Sequence, residues 1–158
     1  MSSLSFDAAK LRYALILRAT NVNSVVEWAD SRIEQLDNPP IELIEISMGR
    51  TLPVPNMLAH LLELITDGNS IDPMCAALGM LVAHIQQNEI DAESVIPDVY
   101  QLLQAEKLIN DDPFLSIPGL DSGLSLIRDG ICSTDDLPRL RSATISELLA
   151  ISSTQPNA

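Results

Sequence analysis

Residues 114–152 read FLSIPGLDSGLSLIRDGICSTDDLPRLRSATISELLAIS. The stretch reads as three or four short helices joined by tight turns. Pro118-Gly119 is a turn dipeptide between apolar residues, and Gly130 suits the left-handed residue that ends a helix. Ser133 or Thr134 can cap the next helix, and Thr144 the last. Helices flanking residues 118–119 would bury Leu115, Leu124 and Ile127, and the closing helix would add Ile145, Leu148 and Leu149.

Upstream, Asn110-Asp111-Asp112-Pro113 breaks the pattern and is the expected boundary between a helical bundle over 1–110 and a module over 114–152. The polar residues 153–158 are expected to form a disordered tail. Within the bundle, Met74 to Gln87 is apolar nearly all round, which predicts a central helix, with Asp72 as its cap and Pro73 at its first position. Ala76, Gly79 and Ala83 give it a small-residue edge that lets a neighbour approach closely. The first helix is expected from Phe6 to Ala19 with Ser5 as cap. A capping box at Ser24 and Glu27 opens the second, whose stripe is Val25, Ala29, Ile33 and Leu36. The third, Ile41 to Met48, is expected to bury Ile41, Ile44 and Met48, expose Glu42 and Glu45, and end at Gly49. The fourth is expected from Val54 to Thr66, and the sixth from Ala92 to Leu108, where Pro97 either kinks it or marks its true start. The predicted class is all-α, a multi-helix bundle with a C-terminal module.

Composition agrees. Of 158 residues 46% are hydrophobic but only 3% aromatic, so the core must be aliphatic, a composition that favours helices over sheets. The 22 acidic residues against 9 Lys and Arg leave a formal charge of −13. Such a surface repels nucleic acid and anionic membranes and attracts a basic protein partner. Two cysteines, Cys75 and Cys132, make no disulfide framework. The first twenty residues lack the pattern of a secretory signal, and the longest apolar run, Met74 to Ala83, is ten residues, too short to span a bilayer. Cytoplasmic residence without membrane association is therefore expected.

The order Pro118-Gly119-Leu120, Leu124 to Ile127, Gly130-Ile131, Ser133-Thr134, Asp136-Leu137 and Glu147-Leu148-Leu149 resembles the helix-hairpin-helix fold, including the related C-terminal domain of the RNA polymerase alpha subunit. The resemblance covers 114–152 only. It implies that hairpin amides at Gly119, Leu120, Asp121, Ser122 and Gly123 would face a phosphate. Asp121 stands where the hairpin usually has its second glycine, and a carboxylate there repels phosphate. Seven acids against three arginines over 110–152 also argue against DNA binding, which depends on neutralising phosphates. Separately, residues 25–47, VVEWADSRIEQLDNPPIELIEIS, resemble small helical bacterial proteins of unknown function that carry a Trp-Ala-Asp element.

Catalytic signatures are missing from the sequence. It has no Gly-rich phosphate loop and no nucleophile elbow. A zinc site drawn from His60, His84, Cys75 and Cys132 has no supporting spacing, so no metal and no cofactor are expected. The expected role is protein–protein interaction: an adaptor, a regulator or an immunity-type inhibitor, not an enzyme. Its docking patch would comprise Asp30, Asp37, Glu42 and Glu45, facing a basic partner, with Trp28 as either a core anchor or a partner-facing residue. Self-association as a homodimer stays open. The alternatives are a nucleic-acid-associated protein using the hairpin at 118–123, and an enzyme with a site between helices.

Overall fold

The structure, a computed structural model, describes residues 2–87 and 89–153. Among them the chain forms eight α-helices and one 3-10 turn, without a strand. It divides into two compact units, the first ending at Ala77 and the second beginning at Leu78. The division falls inside helix α5 (Ile71–Gln86). The segment Asn110 to Pro113 lies within the second unit as a turn. Most of the expected tail, residues 154–158, falls outside the described residues, and Ser153 is still helical.

The first unit contains α1 (Leu4–Ile16), α2 (Val22–Gln35), α3 (Ile41–Ser47) and α4 (Val54–Glu63). Helix α1 packs on α4, α2 on α3, and α3 on α4. The caps differ from those expected, because other capping side chains lie just upstream. Ser3, not Ser5, caps α1 by accepting from the Phe6 amide at 3.0 Å. The Ser5 hydroxyl is buried and accepts the amides of Thr66 and Asp67 at 2.9 and 3.1 Å. Those two amides are thereby withheld from α4, which ends at Glu63 and not at Thr66. In α2 the cap is Asn21, whose side chain accepts from the Ser24 amide at 2.9 Å. Ser24 is therefore inside the first turn, and the expected capping box does not form. Asn21→Ala should cost about 0.5–2 kcal/mol and Ser24→Ala much less. Urea denaturation of both variants checks this, and a larger loss at Ser24 would reverse the assignment.

Helix α3 shows the largest departure. Leu43 and Ile46 are fully buried, whereas Ile41 is 60% and Met48 80% exposed. The expected face is inverted: Ile41 and Met48 look outward and Leu43 and Ile46 inward. A seven-residue helix whose four apolar residues point to several sides has no unique phase of its own. Packing against both α2 and α4 sets it. Gly49 follows in a tight place: a Cβ there would stand 2.7 Å from Leu52 Cδ1, whose side chain would have to shift, and 3.1 Å from the Ile46 carbonyl oxygen.

The second unit contains the C-terminal part of α5, then α6 (Ala92–Ala105), α7 (Ile117–Arg128), a 3-10 turn (Thr134–Asp136) and α8 (Leu137–Ser153). Helix α6 packs on α7 and α8, and α7 on α8. Pro97 lies within α6, which runs from Ala92. Pro118 and Gly119 lie in the first turn of α7, so they start a helix where a turn between helices is expected. Proline suits that position because its missing N–H would have no intrahelical partner. Gly130 does adopt the left-handed conformation, φ +76°, just after α7. Ser133 caps the 3-10 turn by accepting from Asp135 N at 3.2 Å. Thr144 is not a cap: it lies inside α8, buried, donating its hydroxyl to the Leu140 carbonyl at 2.8 Å. Leu124 and Leu148 are buried as the pattern predicts. Leu115 and Leu149 are exposed, and Phe114, Ile117 and Ile151 take the interior places. At the small-residue edge of α5, a Cβ on Gly79 would stand 3.3 Å from the Cβ of Ser152 in α8, so α8 does approach closely there.

Candidate functional site

The outer face of α3 and the neighbouring face of α4 hold the most unusual exposed groups of the first unit. Ile41, Glu45 and Met48 recur at four and three residues, so they share one side of α3. Two large apolar side chains thus flank a carboxylate in solvent. Across the seam, α4 presents His60 and Glu63, also three residues apart and on one side. One donor atom from each of Glu45, His60 and Glu63 can be drawn within 4.8 Å of the others. The His60 ring is half-buried, and its Nδ1 lies 3.3 Å from Glu45 Oε2. That approach lacks the direction of a hydrogen bond, and Nδ1 is sealed from solvent without a hydrogen-bond partner.

The other residues singled out from the sequence are dispersed around this helix pair. Asp30 accepts a short hydrogen bond from the Ser47 hydroxyl, on the α2 side of α3. Residues 45 and 47 lie about 200° apart around a helix, so Asp30 and Glu45 engage opposite sides of α3. Asp37 is exposed beyond the end of α2, and Glu42 is half-buried in the first turn of α3. Trp28 points elsewhere again, donating from Nε1 to Asp7 Oδ2 of α1 at 3.3 Å. Asp7 is itself buried, accepts from Ser2 Oγ at 2.6 Å, and lies 3.9 Å from Lys10 Nζ and 4.0 Å from Arg32 Nε. Trp28 is therefore tied to a buried carboxylate joining α1 and α2.

Two constellations escaped sequence reasoning. His60 and Glu63 stand at helical spacing, which is legible, but a lone glutamate three residues from a histidine on an amphipathic helix is ordinarily a solvated side chain. Glu45 comes from a different helix, and only the α3–α4 packing brings it in. Asp7 carried no signal, because a carboxylate in the first turn of a helix is ordinarily a solvated one.

In the second unit an open groove of about 300 Å³ is lined by Gly123 and Ile127 of α7, Cys132, Asp136, and Arg139, Leu140 and Ala143 of α8. Of the residues of the expected hairpin, 118–123, Gly123 alone lines it. Of those, Leu120 packs among Val95, Ile96 and Val99 of α6, and its amide donates to the Ser116 carbonyl at 3.4 Å. Pro118 has no amide hydrogen, and Gly119 and Asp121 lie within α7. Arg141, one of the three arginines of this segment, makes a bidentate pair with Glu93 of α6, at 2.7 Å from Nε and 2.6 Å from Nη2. These hydrogen bonds hold the Glu93 carboxyl below the usual glutamate range. A depressed folded-state pKa adds stability that is fully present above the ordinary carboxylate value and is lost as pH falls through the depressed one. Arg141→Ala should therefore lower the urea midpoint near neutral pH, and the difference from the unaltered chain should close in strong acid. A difference unchanged by acid would assign the effect to packing.

No helix among the described residues is long and apolar enough to cross a membrane. No family model, curated protein or solved structure significantly matches the chain.

Proposed function

We propose that this chain is a helical protein-binding module, without catalytic chemistry of its own, whose α3–α4 face receives a basic, apolar-bearing segment of a protein partner. The observation that carries the reading is the exposure of Ile41 and Met48, 60% and 80%, on either side of Glu45. Exposed apolar groups interleaved with carboxylates suit an amphipathic segment whose Lys or Arg residues meet Glu45 and Glu63. Leu62 of α4, 54% exposed, adds to the apolar surface of this unit. The chain's net charge of −13 favours such a partner at long range, mainly through association rate. Pairing of this face with a second copy would set like charges together, which disfavours a homodimer through it. Cytoplasmic residence is part of the same proposal.

The test is affinity capture with the full chain and with an Ile41→Glu/Met48→Glu variant, followed by titration of the recovered partner's binding segment. The expected result is a partner segment rich in Lys or Arg, bound less tightly as salt rises and lost in the variant. A partner held equally by the variant, or one with an acidic segment, overturns the reading. Hydrodynamic mass measured alongside decides the homodimer alternative. A duplex DNA shift at low salt would instead favour the nucleic-acid reading of residues 114–152.

A further inference from the structure

We infer that Glu45, His60 and Glu63 form a binding site for one divalent transition-metal cation, with zinc as the best-suited probe. The inference does not rest on the docking reading. It starts from the orphaned ring nitrogen of His60. A buried polar atom without a hydrogen-bond partner is costly and rare in folded proteins. His60 Nδ1 is such an atom, and it faces a carboxylate oxygen 3.3 Å away without the direction a hydrogen bond requires. A neutral imidazole with its lone pair at Nδ1 would repel that oxygen. A cation between the two converts both lone pairs into ligands.

The spacing fits the ion. Nitrogen and oxygen donors at about 2.0–2.1 Å from a tetrahedral zinc stand about 3.3–3.4 Å from each other. The His60–Glu45 separation of 3.3 Å already has that value. Glu63, within the 4.8 Å cluster, is exposed and projects from the same side of α4 as His60. A change of its rotamer would bring its carboxylate to the third position. Solvent would supply the fourth ligand, since the Glu45 side chain is 46% exposed and the cluster opens outward. The donors come from two helices that pack on each other, so their positions are set by the fold and not by a loop.

The chemistry of the donors sets the class of ion. One imidazole nitrogen with two carboxylates suits zinc, cobalt or a similar first-row cation, whereas calcium and magnesium prefer oxygen alone. Charge points the same way. Two carboxylates and a neutral imidazole carry two negative charges, part of a chain whose formal charge is −13. Neither carboxylate pairs with a Lys or Arg among the described residues.

The experiment uses the full chain stripped with a chelator, titrated with zinc chloride by calorimetry near neutral pH, and with cobalt(II) by visible absorption. The expected result is one ion per chain and a cobalt spectrum of nitrogen and oxygen ligation without a thiolate band. His60→Ala and Glu63→Gln should each weaken binding by about tenfold or more. His84→Ala and Cys132→Ser should leave it unchanged; His84 instead contacts Glu89 closely through Nδ1. Glu63 is exposed, so Glu63→Gln keeps its helical circular dichroism and carries the test should His60→Ala unfold. Zinc should also raise the melting temperature of the unaltered chain and not that of Glu63→Gln. Absence of saturable zinc binding, binding that survives both His60→Ala and Glu63→Gln, or a thiolate band in the cobalt spectrum overturns the site.

Discussion

Leu78→Ala and Leu81→Ala should each destabilise the chain by about 2–5 kcal/mol, the largest effects expected of single substitutions here. Both side chains are fully buried in α5. Truncation forfeits the transfer of three buried carbon atoms from water. It also leaves a cavity that close-packed neighbours fill only partly. Met74, Ala77 and Val82 of the same helix are buried as well, so little slack exists for collapse. Ala83 is exposed, and Ala83→Ser serves as a near-neutral control. Urea denaturation with an unchanged slope is the measurement. A loss below about 1 kcal/mol at both leucines would place α5 at the periphery.

Asp7→Ala should cost about 1–3 kcal/mol, because it strands the half-buried Trp28 and Arg32. Trp28 Nε1 would lose its acceptor and the Ser2 hydroxyl its bond. Arg32 would lose the nearest counter-charge to its guanidinium, whose Nε is buried without a hydrogen-bond partner. Asp7→Asn keeps the shape and one acceptor, so it should cost less. The same two variants should shift Trp28 emission in the native state. A loss at Asp7→Ala within about 0.5 kcal/mol of zero, with Trp28 emission unmoved, would show that the carboxylate is a bystander.

Helix type was legible wherever burial and propensity agreed. Val25 and Ala29 of α2 occupy the interior as their spacing predicts, whereas Leu36, just past the helix, is exposed. Phase and termini were less legible, for identifiable reasons. In α3 the stripes 41/44/48 and 43/46 are both apolar, and the choice between them is made by α2 and α4, which lie elsewhere in the chain. At the start of α2, Asn21 and Ser24 are both good caps, and one helix can use only one of them. Around Pro118-Gly119 a turn signal and a helix-start signal coincide, and in α8 Thr144 can bond backward inside a helix as readily as it can cap one. Glu45 was legible as an exposed acid on α3, but its companions were not. His60 and Glu63 meet it only because α3 and α4 pack side by side, a tertiary fact that no local pattern encodes.

The link between Trp28 and Asp7 makes the chain its own optical instrument. Trp28 is the sole tryptophan, and it belongs to the unit that ends at Ala77. Its fluorescence therefore follows the melting of that unit alone, while far-ultraviolet circular dichroism sums the helices of both. If the two signals trace one transition, the leucines of α5 and the carboxylate of Asp7 protect a single cooperative folding unit. If tryptophan emission changes at a lower urea concentration than ellipticity, a species exists in which α6, α7 and α8 persist after α1 and α2 have parted.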